Sequence, residues 1–106
     1  MGPDLRENRR MIKTRRSDTS TTVTFTLDPS VNATSASICG DWNNWSSDVD
    51  MMKPASSGGF TLDLELESGR SYRFRYLLDG ERWENDWDAD AYVPNPFGGE
   101  DSVVTV

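Results

Sequence analysis

From Thr21 onward, apolar and polar positions alternate with a period of two, the mark of strands that bury one face. Val23, Phe25 and Leu27 are separated by threonines, and Pro29 and Asn32 then mark a turn. Ala36 to Cys39 reads as a second short strand, stopped by Gly40. Met51 and Met52 sit in a short extended piece that ends at Pro54 and the Ser56-Ser57-Gly58-Gly59 turn. Phe60, Leu62, Leu64 and Leu66 give the cleanest alternation in the chain. After a turn at Glu67-Ser68-Gly69-Arg70, Tyr72, Phe74, Tyr76 and Leu78 alternate with Arg73, Arg75 and Leu77. Asp79-Gly80 is a hairpin signal, with Trp83 on the returning strand. Residues 85–101 read as a long acidic loop, and Ser102 to Val106 as a final strand.

No segment carries a helical period. Six to eight short strands with regular turns predict an all-β antiparallel sandwich. A chain of 106 residues has room for one such domain, placed here at residues 21–106. Residues 1–20 are polar and lack an apolar face, and they read as a flexible basic tail. Met11 within that tail is a candidate alternative start.

Charge sharpens this division. Residues 1–16 hold six Lys/Arg and two Asp/Glu, whereas the rest of the chain holds five and sixteen. An acidic body repels phosphate backbones, which argues against a nucleic-acid partner. No stretch is apolar enough to span a membrane, and the first residues lack the apolar centre of a secretory signal. A cytoplasmic location is therefore expected. Histidine is absent and Cys39 is the single cysteine. The commonest general base, a zinc site and an internal disulfide are excluded together. No cofactor is expected.

The densest chemistry is in Gly40-Asp41-Trp42-Asn43-Asn44-Trp45. Six positions carry two indoles, two amides and a carboxylate. A sugar ring needs a flat apolar platform for its C–H face and donors and acceptors for its hydroxyls, and these residue types supply both.

The order of motifs extends that reading. The hexapeptide is followed by Met52-Lys53, Gly59-Phe60-Thr61-Leu62, Tyr72-Arg73-Phe74-Arg75-Tyr76-Leu77-Leu78-Asp79-Gly80, Asp86, Phe97-Gly98 and Ser102-Val103-Val104. Over residues 21–106 the chain resembles carbohydrate-binding module family 48. That family includes the N-terminal early-set domains of isoamylases and glycogen-branching enzymes and the glycogen-binding domain of the AMP-activated protein kinase beta subunit. The resemblance implies an immunoglobulin-like sandwich that binds α-1,4-glucans such as glycogen. It places Trp45 and Trp83 as stacking residues, although one extra residue precedes Trp83. Arg75 falls at a basic position that bonds sugar hydroxyls, and Phe97 near an apolar contact. Asp101 stands where glucan-binding members carry asparagine, and Trp87 where the family often has proline. Asn44 and Asp101 are expected to bond hydroxyls beside Arg75. Trp42 and Asn43 are expected to shape the loop, and Phe74 and Tyr76 to be core.

Two other chemistries compete for the acidic residues. Asp86, Asp88 and Asp90 invite calcium, but a calcium loop started at Asp86 would need glycine at Ala91 and glutamate at Phe97. The run reads instead as a solvated acidic loop. Paired carboxylates invite glycoside hydrolysis, but the associated catalytic barrel needs about 250 residues. The expectation is a stand-alone, non-catalytic α-glucan-binding module, monomeric or weakly dimeric, that targets or regulates a glycogen-metabolising enzyme. The rival is a protein-interaction or regulatory domain that kept the fold and lost the sugar site.

Overall fold

The computed structural model describes residues 12–17 and 19–106. Among the described residues, nine strands form two antiparallel sheets. The first sheet has the order β1 (Ile12–Arg16), β2 (Ser20–Leu27), β5 (Phe60–Glu67), β4 (Lys53–Pro54). The second has the order β3 (Ala36–Gly40), β6 (Ser71–Leu78), β9 (Glu100–Thr105), β8 (Ala91–Pro94), with β7 (Arg82–Glu84) also paired to β6. Single 3-10 turns at Pro29–Val31 and Asp41–Asn43 are the helical segments among the described residues.

The period-two pattern becomes the two inner faces. Val23, Phe25 and Leu27 of β2 are fully buried. They meet Phe74, Tyr76 and Leu78 of β6 together with Ile38 and Val104. Phe25 and Phe74 pack edge-on with ring centroids 5.2 Å apart, and Phe74 and Tyr76 do so at 5.7 Å. Edge-to-face geometry aligns the positive ring edge with the negative face of its neighbour. The alternation on β6 therefore turns Phe74 and Tyr76 inward and leaves Arg73 and Arg75 on the outer face.

The predicted hairpin at Asp79-Gly80 forms, with Leu78 paired to Arg82 across it. Asp79 takes the left-handed conformation at φ 54°. Its carboxylate accepts from the backbone and hydroxyl of Thr34, both at 2.8 Å, and from the Ser35 backbone at 3.1 Å. These bonds, led by the Thr34 hydroxyl, hold the carboxyl below the usual aspartate range.

Three expectations need correction. Residues 12–16, assigned to the tail, form β1 and pair with β2 from Ile12↔Phe25 to Arg16↔Thr21. Ile12 is buried beside Phe25, while the rest of β1 is exposed along the sheet edge. Charged residues on an edge strand discourage edge-to-edge association, so this strand carries little apolar signal. The remainder of the tail and Met11 lie outside the described residues. Second, the loop at residues 85–101 contains β8, paired to β9 from Ala91↔Val103 to Pro94↔Glu100. Third, Asp86 is not solvated but 1 % exposed.

Asp86 explains how that loop is held. Its Oδ2 accepts from the Tyr76 hydroxyl at 2.7 Å and its Oδ1 from the Asp88 backbone at 2.8 Å. Its backbone N–H donates to Ser102 Oγ, which donates to Asn85 Oδ1. The Tyr92 hydroxyl donates to the Asp86 carbonyl at 2.6 Å. A tyrosine hydroxyl aimed into a closed core needs an acceptor, and the buried carboxylate provides one. Burial, reinforced by that carboxylate, raises the Tyr76 phenol well above its ordinary range.

Candidate functional site

The outer face of the second sheet carries an open groove of 640 Å³. Its lining comes from four places. Asp41 and Trp45 belong to the segment after β3, Arg73 and Arg75 to β6, Trp83 to β7, and Asn95, Pro96, Phe97 and Asp101 to the β8–β9 hairpin. The size falls within the range of small-ligand pockets, and the lining combines three aromatic rings with a few polar groups. A second depression, against the first sheet, is lined by Arg16, Thr19, Ser20, Glu65, Leu66, Glu67 and Ser68 and contains no aromatic ring.

Sheet register sets the floor. Arg73 pairs with Val103 and Phe74 with Ser102, and Arg75 and Asp101 are the next residues beyond this last rung. β7 continues the same edge of β6 beyond β9, pairing Leu77 with Trp83. The Arg75 guanidinium lies 5.6 Å from the Trp83 ring centre, within cation–π range. Arg75 Nε is buried and has no hydrogen-bond partner.

The wall that carries Trp45 is built by its neighbours. Trp42 turns inward and packs on Phe25, Tyr72 and Phe74 at centroid distances of 5.8, 5.9 and 6.0 Å. Its indole N–H donates to Asp50 Oδ2 at 2.9 Å, which also accepts from Asn43 Nδ2 at 2.7 Å. Asn43 further donates to the Ile38 carbonyl and accepts from the Gly40 N–H. Trp42 and Asn43 are thus scaffold, as expected. Asn44 and Trp45 then occupy consecutive left-handed positions at φ 56° and 59°. Such a conformation in a bulky non-glycine residue costs about 1–3 kcal/mol and persists where neighbouring structure enforces it. Here the Trp45 backbone N–H donates to the Gly40 carbonyl at 2.9 Å. Its indole N–H donates to Asp41 Oδ1 at 3.2 Å, while Asp41 Oδ2 accepts from the Arg73 backbone at 2.8 Å.

The opposite wall is the β8–β9 turn. Asn95 Oδ1 accepts from the backbones of Phe97 and Gly99 at 3.0 and 3.1 Å, and its Nδ2 donates to Asp101 Oδ1 at 3.1 Å. Asp101 is buried and braces the turn from below. Phe97 stands at the tip and is 93 % exposed, and Trp83 is 44 % exposed. Exposure of large aromatics around one groove is the feature that distinguishes a binding surface from ordinary packing.

Five of the six expected site residues, Trp45, Arg75, Trp83, Phe97 and Asp101, line this groove. Asn44 does not line it; its place in the structure is the left-handed turn before Trp45. Sequence reasoning missed Arg73, Asp41 and Asn95. Arg73 had a signal, since it lies two residues before Arg75 and shares its face. Asp41 lay within the hexapeptide marked for its sugar-like chemistry without being named as a contact, and Asn95 enters through loop folding that no local pattern announces. Among the described residues, no cluster of three or more His, Cys, Asp or Glu side chains is arranged to hold a metal ion. No helix there is long and apolar enough to cross a membrane.

Comparison with known families decides the relationship. Residues 21–104 match the family described as the glycogen recognition site of AMP-activated protein kinase. The chain belongs to this family. The match spans β2 through most of β9 and contains every lining residue of the groove. No curated protein sequence matches the chain. Membership in this family accounts for the sandwich and marks the chain as a domain of the carbohydrate-binding-module kind.

Proposed function

We propose that the protein is a non-catalytic α-1,4-glucan-binding module whose site is the groove on the outer face of the second sheet. The observation that carries this reading is the convergence of Trp45, Trp83 and Phe97 around Arg75, from four separate segments, on a family whose description is glycogen recognition. Trp45 and Trp83 stack on glucose rings, Arg75 donates to hydroxyls, and Phe97 closes one side. Asp101 acts chiefly through Asn95, because one of its oxygens is already engaged. In its biological setting the module tethers a glycogen-metabolising enzyme, or its own chain, to the polymer.

An open groove covers little of its ligand, so affinity is modest. An indole face covering roughly 100 Å² of sugar contributes about 2.5 kcal/mol. Trp45→Ala is therefore expected to weaken binding by tens of fold. The test is tryptophan fluorescence titrated with maltoheptaose, together with glycogen pull-down of the wild type and of Trp45→Ala. Saturable quenching by the wild type that is lost in the variant, with far-UV circular dichroism unchanged, supports the assignment. Equal pull-down of both proteins refutes the site. Silence of the wild type at tens of millimolar sugar refutes glucan binding and favours a protein partner on the same aromatics.

A further inference from the structure

We infer that the groove selects α-glucan bearing a phosphate monoester over the neutral polymer. The inference rests on the glucan-binding reading and specifies its ligand. Four charged side chains line the groove. Two are carboxylates, Asp41 and Asp101, and two are guanidiniums, Arg73 and Arg75. The carboxylates are engaged from within the protein. Both oxygens of Asp41 accept hydrogen bonds, from the Trp45 indole and the Arg73 backbone. Asp101 is buried and accepts from Asn95.

The guanidiniums are not engaged in this way. Among the described residues the ion pair formed is Arg70–Glu67, and neither Arg73 nor Arg75 has a carboxylate partner. Arg75 Nε is buried without any acceptor. A buried donor left unpaired is costly, so a small shift of the Arg75 side chain that brings Nε an acceptor from the groove is favoured. The two side chains leave the same face of β6 two residues apart, a separation of about 7 Å along the strand. Two forked cations at that spacing can grip one group from both sides.

A neutral glucan offers hydroxyl groups, which need no cation. A phosphate monoester offers a charge of about −1.5 to −2 and three acceptor oxygens, which matches two guanidiniums in charge and in donor count. A carboxylate matches only one. The net charge of −7 would repel such a ligand at long range. At physiological ionic strength that repulsion is screened beyond about 8 Å, so the groups lining the groove decide: Asp41 and Asp101 already accept from protein donors, whereas the two guanidiniums have no carboxylate partner among the described residues. Trp45 and Trp83 on either side then hold the sugar rings that flank the phosphate.

The test compares maltoheptaose with maltoheptaose carrying one phosphate monoester, by isothermal titration calorimetry in 0.15 M salt. The phosphorylated chain is expected to bind about ten-fold or more tightly, since hydrogen bonds to charged groups are the strong ones. That ratio is expected to fall toward one in Arg73→Gln and to shrink as salt is raised. Equal affinity for the two chains overturns the inference and leaves glucan binding standing. A ratio that persists in Arg73→Gln overturns the paired grip. Inorganic phosphate is expected to compete poorly; displacement by it as effective as by the phosphorylated chain shows an anion site without glucan selectivity and overturns the inference. Binding of neither chain refutes the glucan reading itself.

Discussion

Gly40→Ala tests how tightly the end of β3 is locked against the core and the site together. Gly40 has φ −160°, extended backbone that alanine adopts freely, so the perturbation is one of space alone. A methyl there would lie 2.8 Å from the Arg73 carbonyl oxygen, 2.9 Å from Phe74 Cβ and 2.9 Å from Trp42 Cζ3. Comfortable carbon contacts begin near 3.5 Å. The first two neighbours belong to the central strand β6 and cannot yield without breaking its pairing with β3. The third is a ring wedged among Phe25, Tyr72 and Phe74 and tied to Asp50. Overpacking of this kind costs about 1–3 kcal/mol. Restriction of the unfolded chain returns about 0.4–1 kcal/mol. A net loss of about 1–2 kcal/mol follows, or a fall in melting temperature of roughly 5–15 °C for a domain of this size. Urea denaturation followed by far-UV circular dichroism measures the loss, and near-UV circular dichroism reports the shift of Trp42. Gly69→Ala is the contrast, because that glycine has no neighbour within 4 Å of the added methyl but sits at φ 81°. Its cost is expected to come from the backbone, with the near-UV spectrum unchanged. Stability of Gly40→Ala within about 0.5 kcal/mol of wild type, with an unaltered Trp42 signal, refutes the close-packing argument.

Further outcomes follow from the bonds described. Asp50→Ala leaves the Trp42 indole and the Asn43 amide without their shared acceptor, which is expected to cost about 1–3 kcal/mol in urea denaturation and to weaken glucan binding through the displaced Trp45 loop. Tyr76 has a raised folded pKa, so above about pH 10 the unfolded chain releases this proton first and stability falls as pH rises, by up to about 1.4 kcal/mol per pH unit. Tyr76→Phe is expected to remove that alkaline slope while lowering stability at neutral pH, and denaturation at pH 7 to 11 measures both. Asp79 has a lowered folded pKa, so its contribution is present above the unfolded value near 3.8 and is lost as pH falls through the folded value. Asp79→Asn is expected to flatten that acid limb of the stability curve, measured by thermal melts at pH 2 to 6.

The sandwich was legible because β2, β5 and β6 each bury one face across several alternations. β1 was hidden because Ile12 is its one inward apolar residue and the rest of it faces solvent along an edge. β8 was hidden by composition, since Pro94 ends it and acidic residues precede it. At the groove, Trp45, Trp83 and Arg75 could be named because side-chain chemistry and motif order both marked them. Arg73 was readable from the same alternation that places Arg75, whereas Asp41 and Asn95 acquire their places from loop closure, which one-dimensional spacing does not encode. Asp86 was misread for a similar reason. Its burial follows from the Tyr76 hydroxyl ten residues earlier, and nothing in the local acidic run distinguishes it from Asp88.

The left-handed pair at Asn44 and Trp45 has a kinetic consequence. The energy of that conformation is spent during folding, so the indole already faces the groove when a glucan chain arrives. The described segments that line the groove need not become ordered on encounter, and association is expected to be fast and nearly alike for every glucan that fits. Differences among chain lengths or decorations then appear in residence time. A polymer presenting many equivalent sites can be released and recaptured along its length before the module diffuses away.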